Sequence, residues 1–439
     1  MLASYLVADN SKPELDGHRM HKLNIVFLGF GRMGRAAFVS LNQITDRLRQ
    51  EGIDPYLRAV FEADENLISI LPDLTGVGAK AVFVDTRAAR PVALSDLLHQ
   101  PVGLRADDEF LIYDATPSTC HLENLVAVCE HFPQAIYLGE KPLFTRRSGL
   151  IALNHFGEQI LCDFVDSQNQ AVLKLLAMQR GSFRIERLRF WRLNSSGLQK
   201  LLAPQDRRGI EGGALLDKGI HDIALAAILM RNQQITGASW TVREATNLAF
   251  MPPAPDSDGL TDAAGYARIE SLGPPRANAE FHYSWIGVER FDDLSTSIGQ
   301  PSLRALLNRH GLEEPSWLWR TPGEEEARIA LVEGTEAGRD TRLVVNLLSR
   351  PGIQPFVFHA EREEFLDLSF YRSSESPLAR VLNLAIHNCV NRLPLSCSPL
   401  GAAIIAQAHQ ACFDIRDQAL VQQPHATSDW MQSECILNV

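Results

Sequence analysis

The sequence predicts an α/β protein in which an N-terminal doubly wound parallel sheet is followed by a C-terminal α+β domain with a large, mostly antiparallel open sheet. Two observations support this. Up to about residue 147, short apolar segments alternate with segments of helical periodicity, which is typical of βαβ units and a parallel sheet. Beyond about residue 148 the strand candidates are longer, and two of them are joined by a polar, glycine-containing segment, as in an antiparallel hairpin.

The composition is that of a folded protein with a sizeable core. The 439 residues are 45% hydrophobic, and the formal net charge is −11. A protein this acidic is not expected to bind nucleic acid through non-specific electrostatic attraction to the phosphates. No run of about 18 apolar residues is present, so no membrane span is predicted. The first residues lack a basic segment followed by a long apolar stretch, so we expect no secretory signal.

The cysteines indicate a reducing environment. Seven of them are scattered along the chain, and no two form a CxxC pair. An odd, dispersed set is typical of free thiols in a cytoplasmic protein. We therefore expect a cytoplasmic location and no metal site.

Five apolar segments in the first part of the chain are predicted as strands of the parallel sheet: Ile25–Leu28, Leu57–Glu62, Ala81–Val84, Phe110–Tyr113 and Ala135–Leu138. Ile160–Val165, beyond the change of pattern at about residue 148, is predicted as one more strand. The first of the five is an uninterrupted apolar run, which is typical of a strand buried on both faces. Helices are predicted over Gly34–Arg49 and Ser118–His131.

The turn after the first strand has the pattern GxGxxG, and its residues are Gly29, Phe30, Gly31, Arg32, Met33 and Gly34. In a dinucleotide-binding Rossmann unit the first glycine makes the tight turn, the second lets the backbone approach a pyrophosphate, and the third lets helix and strand pack closely. The start of the following helix supplies N–H groups and a positive dipole end, so an acidic protein can still bind a phosphate here. A plain glycine-rich turn is the alternative.

An acidic residue is expected at the end of the second strand, where it would bind the adenosine ribose. Glu62 fits this position, and Asp64 is the alternative. The separation of Glu62 from Gly34 exceeds the usual ~20 residues, so we expect an extended first helix or loop around Arg47 to Pro55. A carboxylate here repels a 2′-phosphate and favours NAD over NADP, although Arg32 would weaken that preference. A solvated charge at the strand end is the alternative.

The second domain is predicted from a helix at Gln168–Gln179 and six longer strands. These strands are Phe183–Leu193, Ser239–Ala245, Ala279–Trp285, Ala327–Val332, Arg342–Leu348 and Pro355–His359. Glu333–Asp340 is predicted as a hairpin loop, Pro252–Asp258 as a loop, and 301–325 as an inserted helix and loop.

Two late segments, Pro377–Asn391 and Leu400–Ala419, have helical periodicity and are expected to pack against one of the domains. The predicted organisation is a flexible leader at 1–22, a dinucleotide-binding domain at 23–147, a substrate and oligomerisation domain at 148–421, and a polar tail at 422–439.

Two further motifs complete a specific set. Gly139-Glu140-Lys141-Pro142 stands at the end of a strand candidate, and GGALLDKGIHD runs from Gly212 to Asp222. Together with GxGxxG and Ala115-Thr116-Pro117, they resemble the glucose–fructose oxidoreductase/inositol dehydrogenase (Gfo/Idh/MocA) family. The resemblance is good to about residue 145, fair over 160–230 and general beyond. The leader, the long connection after the glycine turn and extra material at about 250–340 depart from the family pattern.

The resemblance places the family's catalytic lysine on Lys141 and its Asp/His pair on Asp217 and His221. The residues themselves agree with this chemistry. Asp217 and His221 are four residues apart, so they share one face of a helix, where the carboxylate can fix the imidazole tautomer and the imidazole can move a proton. Lys141 stands at the C-terminal end of a parallel strand, where its ammonium can stabilise a developing alkoxide. A surface lysine and a surface ion pair are the alternatives.

Other residues are expected near the cofactor or the substrate. The cofactor set, besides the turn and Glu62, is Ala115, Thr116, Pro117, His121, Glu140 and Lys141. His121 either approaches the cofactor or caps a surface, and we expect a cis peptide bond before Pro142. By the resemblance, the substrate set is Lys141, Asp163, Asp166, Asn169, Asp217 and His221. A solvated loop or helix start is the alternative for Asp163, Asp166 and Asn169.

The resemblance therefore implies an NAD(P)-dependent oxidoreductase that transfers a hydride between nicotinamide and a secondary alcohol or ketone of a sugar, cyclitol or related polyol. The expected cofactor is NAD, with NADP as the alternative. A cofactor-binding regulator without turnover, and elimination or glycoside cleavage through transient oxidation, are the other possibilities. Because an uncovered apolar sheet face has to be buried, we expect a homodimer or homotetramer.

Overall fold

A computed structural model of the chain describes residues 20–64, 66–67, 80–84, 93–195, 213–232, 240–251, 261–271, 277–285, 287–288, 291–292, 302–314, 316–322, 324–395 and 398–422. The predicted loop at Pro252–Asp258 lies outside these residues, as do 1–19 of the predicted leader and 423–439 of the predicted tail. In the part of the chain that is described, no helix is long and apolar enough to cross a membrane.

The chain divides into two compact units. The first contains the described residues up to Phe144, Ser148–Gln168 and Ser373–Ala406, and the second contains Thr145–Arg147, Asn169–Arg372 and the described residues from Gln407. The sequence predicts one boundary, between residues 147 and 148. The structure differs because the chain returns to the first unit twice, once to add an edge strand and once to add a helix.

The helices of both units are, in chain order, α1 (Arg32–Gln50), α2 (Leu94–His99), α3 (Ser118–His131), α4 (Leu150–Phe156), α5 (Gln170–Arg180), α6 (Ile220–Asn232), α7 (Leu303–Arg309), α8 (Pro377–Asn391) and α9 (Ala402–Gln422). A π-helical segment, Leu215–Gly219, directly precedes α6.

A six-stranded parallel sheet forms the centre of the first unit. Its strands are β1 (His21–Leu28), β2 (Ile53–Glu62), β3 (Lys80–Phe83), β4 (Phe110–Asp114), β5 (Ile136–Gly139) and β6 (Ile160–Cys162). They lie in the order β3-β2-β1-β4-β5-β6, and every neighbouring pair is parallel. The strand order reverses between β1 and β4, which is where doubly wound sheets bind ligands. The predicted Rossmann fold is confirmed.

Helix α1 accounts for the long connection after the glycine turn. It has 19 residues, and one face of it, which includes Phe38, Leu41, Ile44 and Leu48, is buried. These positions recur at the three- and four-residue spacing of an amphipathic helix. The chain then reaches β2 through Glu51 and Gly52, the latter at φ 84°. Of the two alternatives for this connection, the extended helix is the one observed.

Helix α8 returns the chain to the first unit after the sheet of the second unit has been completed. The Ser376 side chain caps it by accepting a hydrogen bond from the Ala379 N–H at 3.1 Å, and proline occupies the first turn. Its apolar face packs against α1, where the Ser40 and Ser376 hydroxyls lie 3.0 Å apart. The prediction that this helix packs against one of the domains is confirmed.

A nine-stranded sheet forms the second unit. Its strands are β7 (Phe183–Asn194), β8 (Trp240–Met251), β9 (Thr261–Ser271), β10 (Asn278–Ser284), β11 (Leu318–Thr321), β12 (Glu324–Glu336), β13 (Arg339–Asn346), β14 (Phe356–His359) and β15 (Glu364–Phe365). The order is β15-β14-β13-β12-β7-β10-β9-β8, with β11 paired to β12. All pairs are antiparallel except β7 with β10, so the predicted, mostly antiparallel sheet is confirmed.

The hairpin between β12 and β13 is tighter than predicted. The strands continue to Glu336 and resume at Arg339, so the predicted loop over Glu333–Asp340 is wrong and the turn consists of Ala337 and Gly338. Their φ angles are 49° and 78°. Two-residue turns with positive φ at both positions match the twist of paired strands, which is why the polar residues beside the turn remain in the ladder.

Candidate functional site

The glycine turn of the first unit has the geometry that its three glycines predict. Gly29 has a φ of 79°, and its N–H donates to the Phe61 carbonyl at 2.8 Å, which closes the turn. A Cβ on Gly34 would lie 2.2 Å from the Gly29 oxygen, so only glycine permits this packing. A Cβ on Gly31 would meet no described atom within 4 Å. The backbone at Gly31 therefore faces open space.

The other residues of the turn anchor it and start α1. Phe30 is buried against Phe27 and Phe38, with ring centroids 6.3 and 6.0 Å away. Gly31 is the N-cap of α1, and the first turn of that helix has no acidic residue. Arg32 is exposed and Met33 is half-buried. The free N–H groups and positive dipole end of the helix thus face the same open space.

Glu62 lies against the glycine turn. Its Oε2 accepts a hydrogen bond from the Phe30 N–H at 2.6 Å, and its Oε1 accepts from the N–H groups of Ala63 and Asp64 at 2.8 and 3.1 Å. The Asp64 carboxylate instead accepts from the Asn66 N–H at 2.9 Å. Of the two acidic candidates at the end of β2, Glu62 is therefore the one built into the turn.

The second turn of this site follows β4 and contains Ala115, Thr116 and Pro117. The Ala115 N–H donates to the Leu28 carbonyl at 2.8 Å, so this turn lies directly beside the first. Asp114, fully buried, accepts hydrogen bonds from the Thr116 N–H at 2.8 Å and the Thr116 hydroxyl at 2.6 Å. Ala115 and Thr116 are half-buried and Pro117 is exposed, so the turn presents part of its surface to solvent.

His121 connects this turn to the segment that carries Lys141. Its Nε2 lies 2.9 Å from the Thr116 carbonyl oxygen, and its Nδ1 lies 3.0 Å from the Pro142 carbonyl oxygen. The ring is 1% exposed. The alternative that His121 caps a surface is therefore wrong, and its approach to a cofactor stays a prediction. The Lys141–Pro142 peptide bond is cis, as predicted.

Glu140 and Lys141 follow β5 at the same edge of the sheet. The Glu140 N–H donates to the Asp114 carbonyl at 2.9 Å, and its side chain is buried, whereas Lys141 is half-buried. Asp163, at the end of β6, is also buried, and its N–H donates to the Gly139 carbonyl at 2.9 Å. The alternative of a solvated position is wrong for Asp163.

Asp166 and Asn169 are buried too, so the solvated alternative is wrong for both of them. Asp166 lies in a short 3-10 helix, Val165–Gln168. Asn169 is the N-cap of α5: its Oδ1 accepts from the Ala171 N–H at 2.9 Å, and its Nδ2 donates to the Leu347 carbonyl at 2.8 Å. Asn169 thus begins a helix, and its contact with a substrate stays a prediction.

In the second unit, Asp217 and His221 lie on helical turns, but the geometry differs from the predicted α-helix. Asp217 is in the π-helical segment and His221 is in the first turn of α6. Asp217 is buried, and its Oδ2 accepts from the Trp285 indole N–H at 2.8 Å and pairs with Lys218 at 3.2 Å. Short π-helical insertions occur frequently at functional sites. Because Asp217 and His221 are both buried, the alternative of a surface ion pair is wrong.

The residue next to His221 belongs to a buried ion pair. The Arg192 Nε and Nη2 atoms donate to the Asp222 Oδ1 at 3.0 and 2.7 Å, and both side chains are 3% exposed. This pair joins β7 to the first turn of α6.

Comparison with known proteins gives matches at the level of structure. No protein-family model matches the sequence, and no curated protein matches it either. UDP-N-acetylglucosamine 3-dehydrogenase GnnA from Acidithiobacillus ferrooxidans has a TM-score of 0.56 at 15% identity, covering 91% of this chain and 98% of that one. Scyllo-inositol dehydrogenase from Lactobacillus casei has a TM-score of 0.56 at 14% identity, covering 91% and 96%. Levoglucosan dehydrogenase, in complex with NADH and levoglucosan, has a TM-score of 0.58 at 14% identity, covering 92% and 98%.

The chain has the fold of the Gfo/Idh/MocA oxidoreductases. Both sheets of that fold are present here, and the resemblance seen in the sequence motifs is confirmed at the level of the fold.

Four residues of this Gfo/Idh/MocA fold have polar contacts that the sequence analysis did not find: Tyr113, Asp114, Arg192 and Trp285. The sequence does mark Tyr113 and Asp114 as candidates for buried polar contacts, because they are polar residues in the otherwise apolar strand Phe110–Asp114. A buried polar side chain needs a partner, so such a position marks a local network. Nothing in the sequence pairs Trp285 with Asp217.

Proposed function

We propose that this protein is an NAD(P)-dependent oxidoreductase that transfers a hydride between nicotinamide and a secondary alcohol or ketone of a sugar, cyclitol or related polyol. The observation that carries the proposal is the glycine turn at the switch point of the first sheet. It combines an open backbone at Gly31, the start of α1 and a strand-end carboxylate, Glu62, hydrogen-bonded into the turn.

These residues fit a dinucleotide. The N–H groups at the start of α1 would bind the pyrophosphate, and Gly31 leaves room for it. Glu62 has accepting capacity beyond its three backbone contacts for the ribose hydroxyls, and its charge disfavours a 2′-phosphate. We therefore propose NAD as the preferred cofactor, with exposed Arg32 as the residue that would tolerate NADP. Ala115, Thr116 and Pro117 would close over it.

The bound nicotinamide would accept or supply the hydride. Lys141, at the carboxyl edge of the first sheet, would stabilise negative charge on the substrate oxygen. His221 would take or give the hydroxyl proton, and Asp217, held by Trp285, would fix its orientation. Glu140, Asp166 and Asn169 complete the proposed set, together with His121, which would act by holding the Thr116 and Pro142 backbone.

The structural neighbours support the substrate class. One of them is described as a complex with NADH and levoglucosan, and others as dehydrogenases of a nucleotide sugar and of an inositol. Each of these molecules carries ring hydroxyl groups. A polyhydroxylated ring is therefore the substrate class to test first.

The first experiment measures cofactor binding without a substrate. NAD and NADP are titrated by fluorescence against the wild type, Glu62→Gln and the control Asp64→Asn. We expect tighter binding of NAD than of NADP. Loss of a charged ribose contact should weaken NAD binding in Glu62→Gln by about 10- to 150-fold, the equivalent of 1.5–3 kcal/mol. Asp64→Asn should bind NAD as the wild type does. Tighter NADP binding would overturn the assignment of Glu62, and binding of neither would overturn the proposal.

The second experiment measures turnover. Sugars, inositols and other polyols are screened by the absorbance of reduced nicotinamide, and the best substrate is then used for variants. His221→Ala should lower turnover by about 10²- to 10⁴-fold with NAD affinity unchanged. Lys141→Ala should also lower turnover, and Asp217→Asn should cost less than His221→Ala. The exposed His155→Ala serves as the control. NAD binding without turnover on any polyol would favour the regulator over the enzyme.

We further propose that the protein is cytoplasmic and forms a homodimer or homotetramer through the sheet of the second unit. The five cysteines among the described residues are free thiols, as expected for a protein in a reducing compartment. Analytical ultracentrifugation at micromolar concentration tests the assembly, and a monomer would contradict it.

A further inference from the structure

Tyr113, Glu140 and Asp163 form a buried polar cluster in the first unit, and Lys141 follows Glu140 directly in the chain. Their side chains come from the ends of three neighbouring parallel strands, β4, β5 and β6. The Tyr113 hydroxyl donates to Glu140 Oε1 and lies 3.2 Å from Asp163 Oδ2. Exposure is 0% for Tyr113, 9% for Glu140 and 2% for Asp163. Two carboxyl groups thus share one phenol in a nearly water-free site.

The hydrogen-bond inventory of the cluster requires one more proton. A phenol has a single O–H, and two ionised carboxylates are acceptors only. The Tyr113 O–H donates to Glu140 Oε1, so its contact with Asp163 Oδ2 needs a second proton, and no donor among the described residues reaches Asp163 Oδ1. Within the cluster, only a protonated Asp163 carboxyl group can supply that proton, by donating to the phenol oxygen. Ionising both in a buried site would also place like charges side by side.

We propose that Asp163 and Tyr113 are positioning residues for the Glu140–Lys141 segment: Asp163 holds a proton that it donates to the Tyr113 oxygen, the Tyr113 hydroxyl donates to Glu140, and the carboxyl pair carries one negative charge. This replaces the predicted contact of Asp163 with a substrate. It rests on the proposed function only for the role of Lys141 in turnover. Tyr113 holds the Glu140 carboxylate, Asp163 holds Tyr113, and the backbone after Glu140 places Lys141.

The charges around the cluster agree with this assignment. Burial, and then the charge of Glu140, raise the pKa of the Asp163 carboxyl well above its ordinary value of 3.8, and Lys141 opposes this only in part. Burial and the two carboxyl groups raise the pKa of Tyr113, so the phenol remains a donor. Burial also raises the pKa of the neighbouring Cys162 thiol. Lys141 is the cation whose charge acts on Asp163.

A proton held by Asp163 makes stability depend on pH in a defined direction. In the unfolded chain Asp163 is ionised above about pH 4, whereas in the folded chain it keeps its proton to a higher pH. Unfolding then releases one proton. The stabilisation is complete below the unfolded pKa and is lost as the pH rises toward the folded pKa. Over that interval the folding equilibrium constant of the wild type should fall by about tenfold per pH unit relative to a variant that cannot ionise.

The experiment compares the wild type with Asp163→Asn by urea denaturation at several pH values between 5 and 8. The amide keeps the shape and the donor of a protonated carboxyl group but does not titrate. We expect the ratio of the two folding constants to change by about tenfold per pH unit. Asp107→Asn, at a carboxylate that is 79% exposed, is the matched control and should run parallel to the wild type. Parallel curves for Asp163→Asn as well would overturn the proposal.

An infrared measurement makes the test independent of variant folding. The wild type at neutral pH should show the C=O stretch of a protonated, buried carboxyl group, and this band should be absent from Asp163→Asn. Its absence from the wild type would mean that both carboxylates are ionised and would overturn the proposal. Once a substrate is known, Asp163→Asn should keep its turnover while Asp163→Ala loses it. Because the proton measurements need neither cofactor nor substrate, their failure is distinct from failure of the proposed function.

Discussion

Replacing either Gly31 or Gly34 by alanine tests cofactor binding and protein stability separately, although both residues belong to one turn. The two glycines are three residues apart, but a Cβ would meet no described atom within 4 Å at Gly31 and would lie 2.2 Å from the Gly29 oxygen at Gly34. Gly31 has φ −64° and ψ −152°, an extended conformation that alanine also adopts. Gly31→Ala therefore adds a methyl group to open space, whereas Gly34→Ala adds one to a closed contact.

The expected magnitudes follow from these environments. Gly31→Ala should change the free energy of unfolding of the cofactor-free protein by about 1 kcal/mol or less, since it exchanges one N-cap residue for a slightly poorer one. Gly34→Ala should destabilise it by about 1–3 kcal/mol, the usual cost of forcing a group into a packed site. The methyl at Gly31 lies where the pyrophosphate would approach. Loss of one hydrogen bond to a charged phosphate, about 1.5–3 kcal/mol, should weaken NAD binding at least about tenfold.

Urea denaturation without cofactor and fluorescence titration with NAD measure the two quantities on the same samples. Gly52→Ala is a control for the loss of a glycine at positive φ outside this turn, and it should lower stability without affecting NAD binding by the folded fraction. Wild-type affinity for NAD in Gly31→Ala would refute the placement of the pyrophosphate at this turn. A stability loss in Gly31→Ala as large as that in Gly34→Ala would refute the reading of the turn geometry.

Three further predictions concern stability. Burial alone would raise the pKa of Glu326, but Arg328 and Arg350 lower it to about 2. Glu326→Gln should therefore lower the free energy of unfolding by about 3 kcal/mol at pH 7. In thermal melts, the difference in stability between variant and wild type should disappear as the pH falls from about 4.5 to 2. Arg192→Ala should destabilise the protein by about 3–5 kcal/mol in urea, because it removes the guanidinium that holds buried Asp222, whereas exposed Arg243→Ala should cost about 1 kcal/mol or less. Ala337→Asn should raise stability by about 1 kcal/mol, because asparagine tolerates the positive φ of that turn better, and an unchanged melting temperature would contradict this.

The parallel half of the fold was predictable because its signals are local. Helix α3 begins and ends at the residues that the sequence predicts, Ser118 and His131, directly after a proline. Strands β1 and β4 each contain an uninterrupted apolar run, Ile25–Leu28 and Phe110–Ile112. In each case the hydrophobic pattern and the residues at its ends favour the same secondary structure, and the tertiary contacts favour that structure too.

Strand β9 was not predicted, and its composition explains why. Residues Asp262–Ala267 are mostly small or acidic and have low intrinsic strand propensity. They are nevertheless held as a strand because β8 and β10 pair with it on both sides. The buried alanines Ala264 and Ala267 are close-packed there, a property of their neighbours in space. A single-sequence pattern does not contain that information.

Part of the candidate site was predictable from the sequence and part was not. The GxGxxG spacing located the turn, and the strand end located Glu62, because both belong to one continuous βαβ segment. Tyr113 and Asp163 meet across 50 residues of chain, and Trp285 meets Asp217 across 68. Their roles depend on which strands become neighbours, which the motifs alone do not state.

The return of α8 to the first unit sets the order in which this protein can be completed during synthesis. Ser40 and Ser376 touch although 336 positions separate them, so the side of α1 that α8 contacts remains uncovered until the ribosome has translated the entire second sheet. Domains generally fold from the N-terminus as they emerge. Here the nascent N-terminal half exposes the α8-binding side of α1 throughout, and in a fragment that stops at residue 168 this side stays exposed permanently. Aggregation of such a fragment, and its rescue by a fused copy of 373–406, would be the visible result.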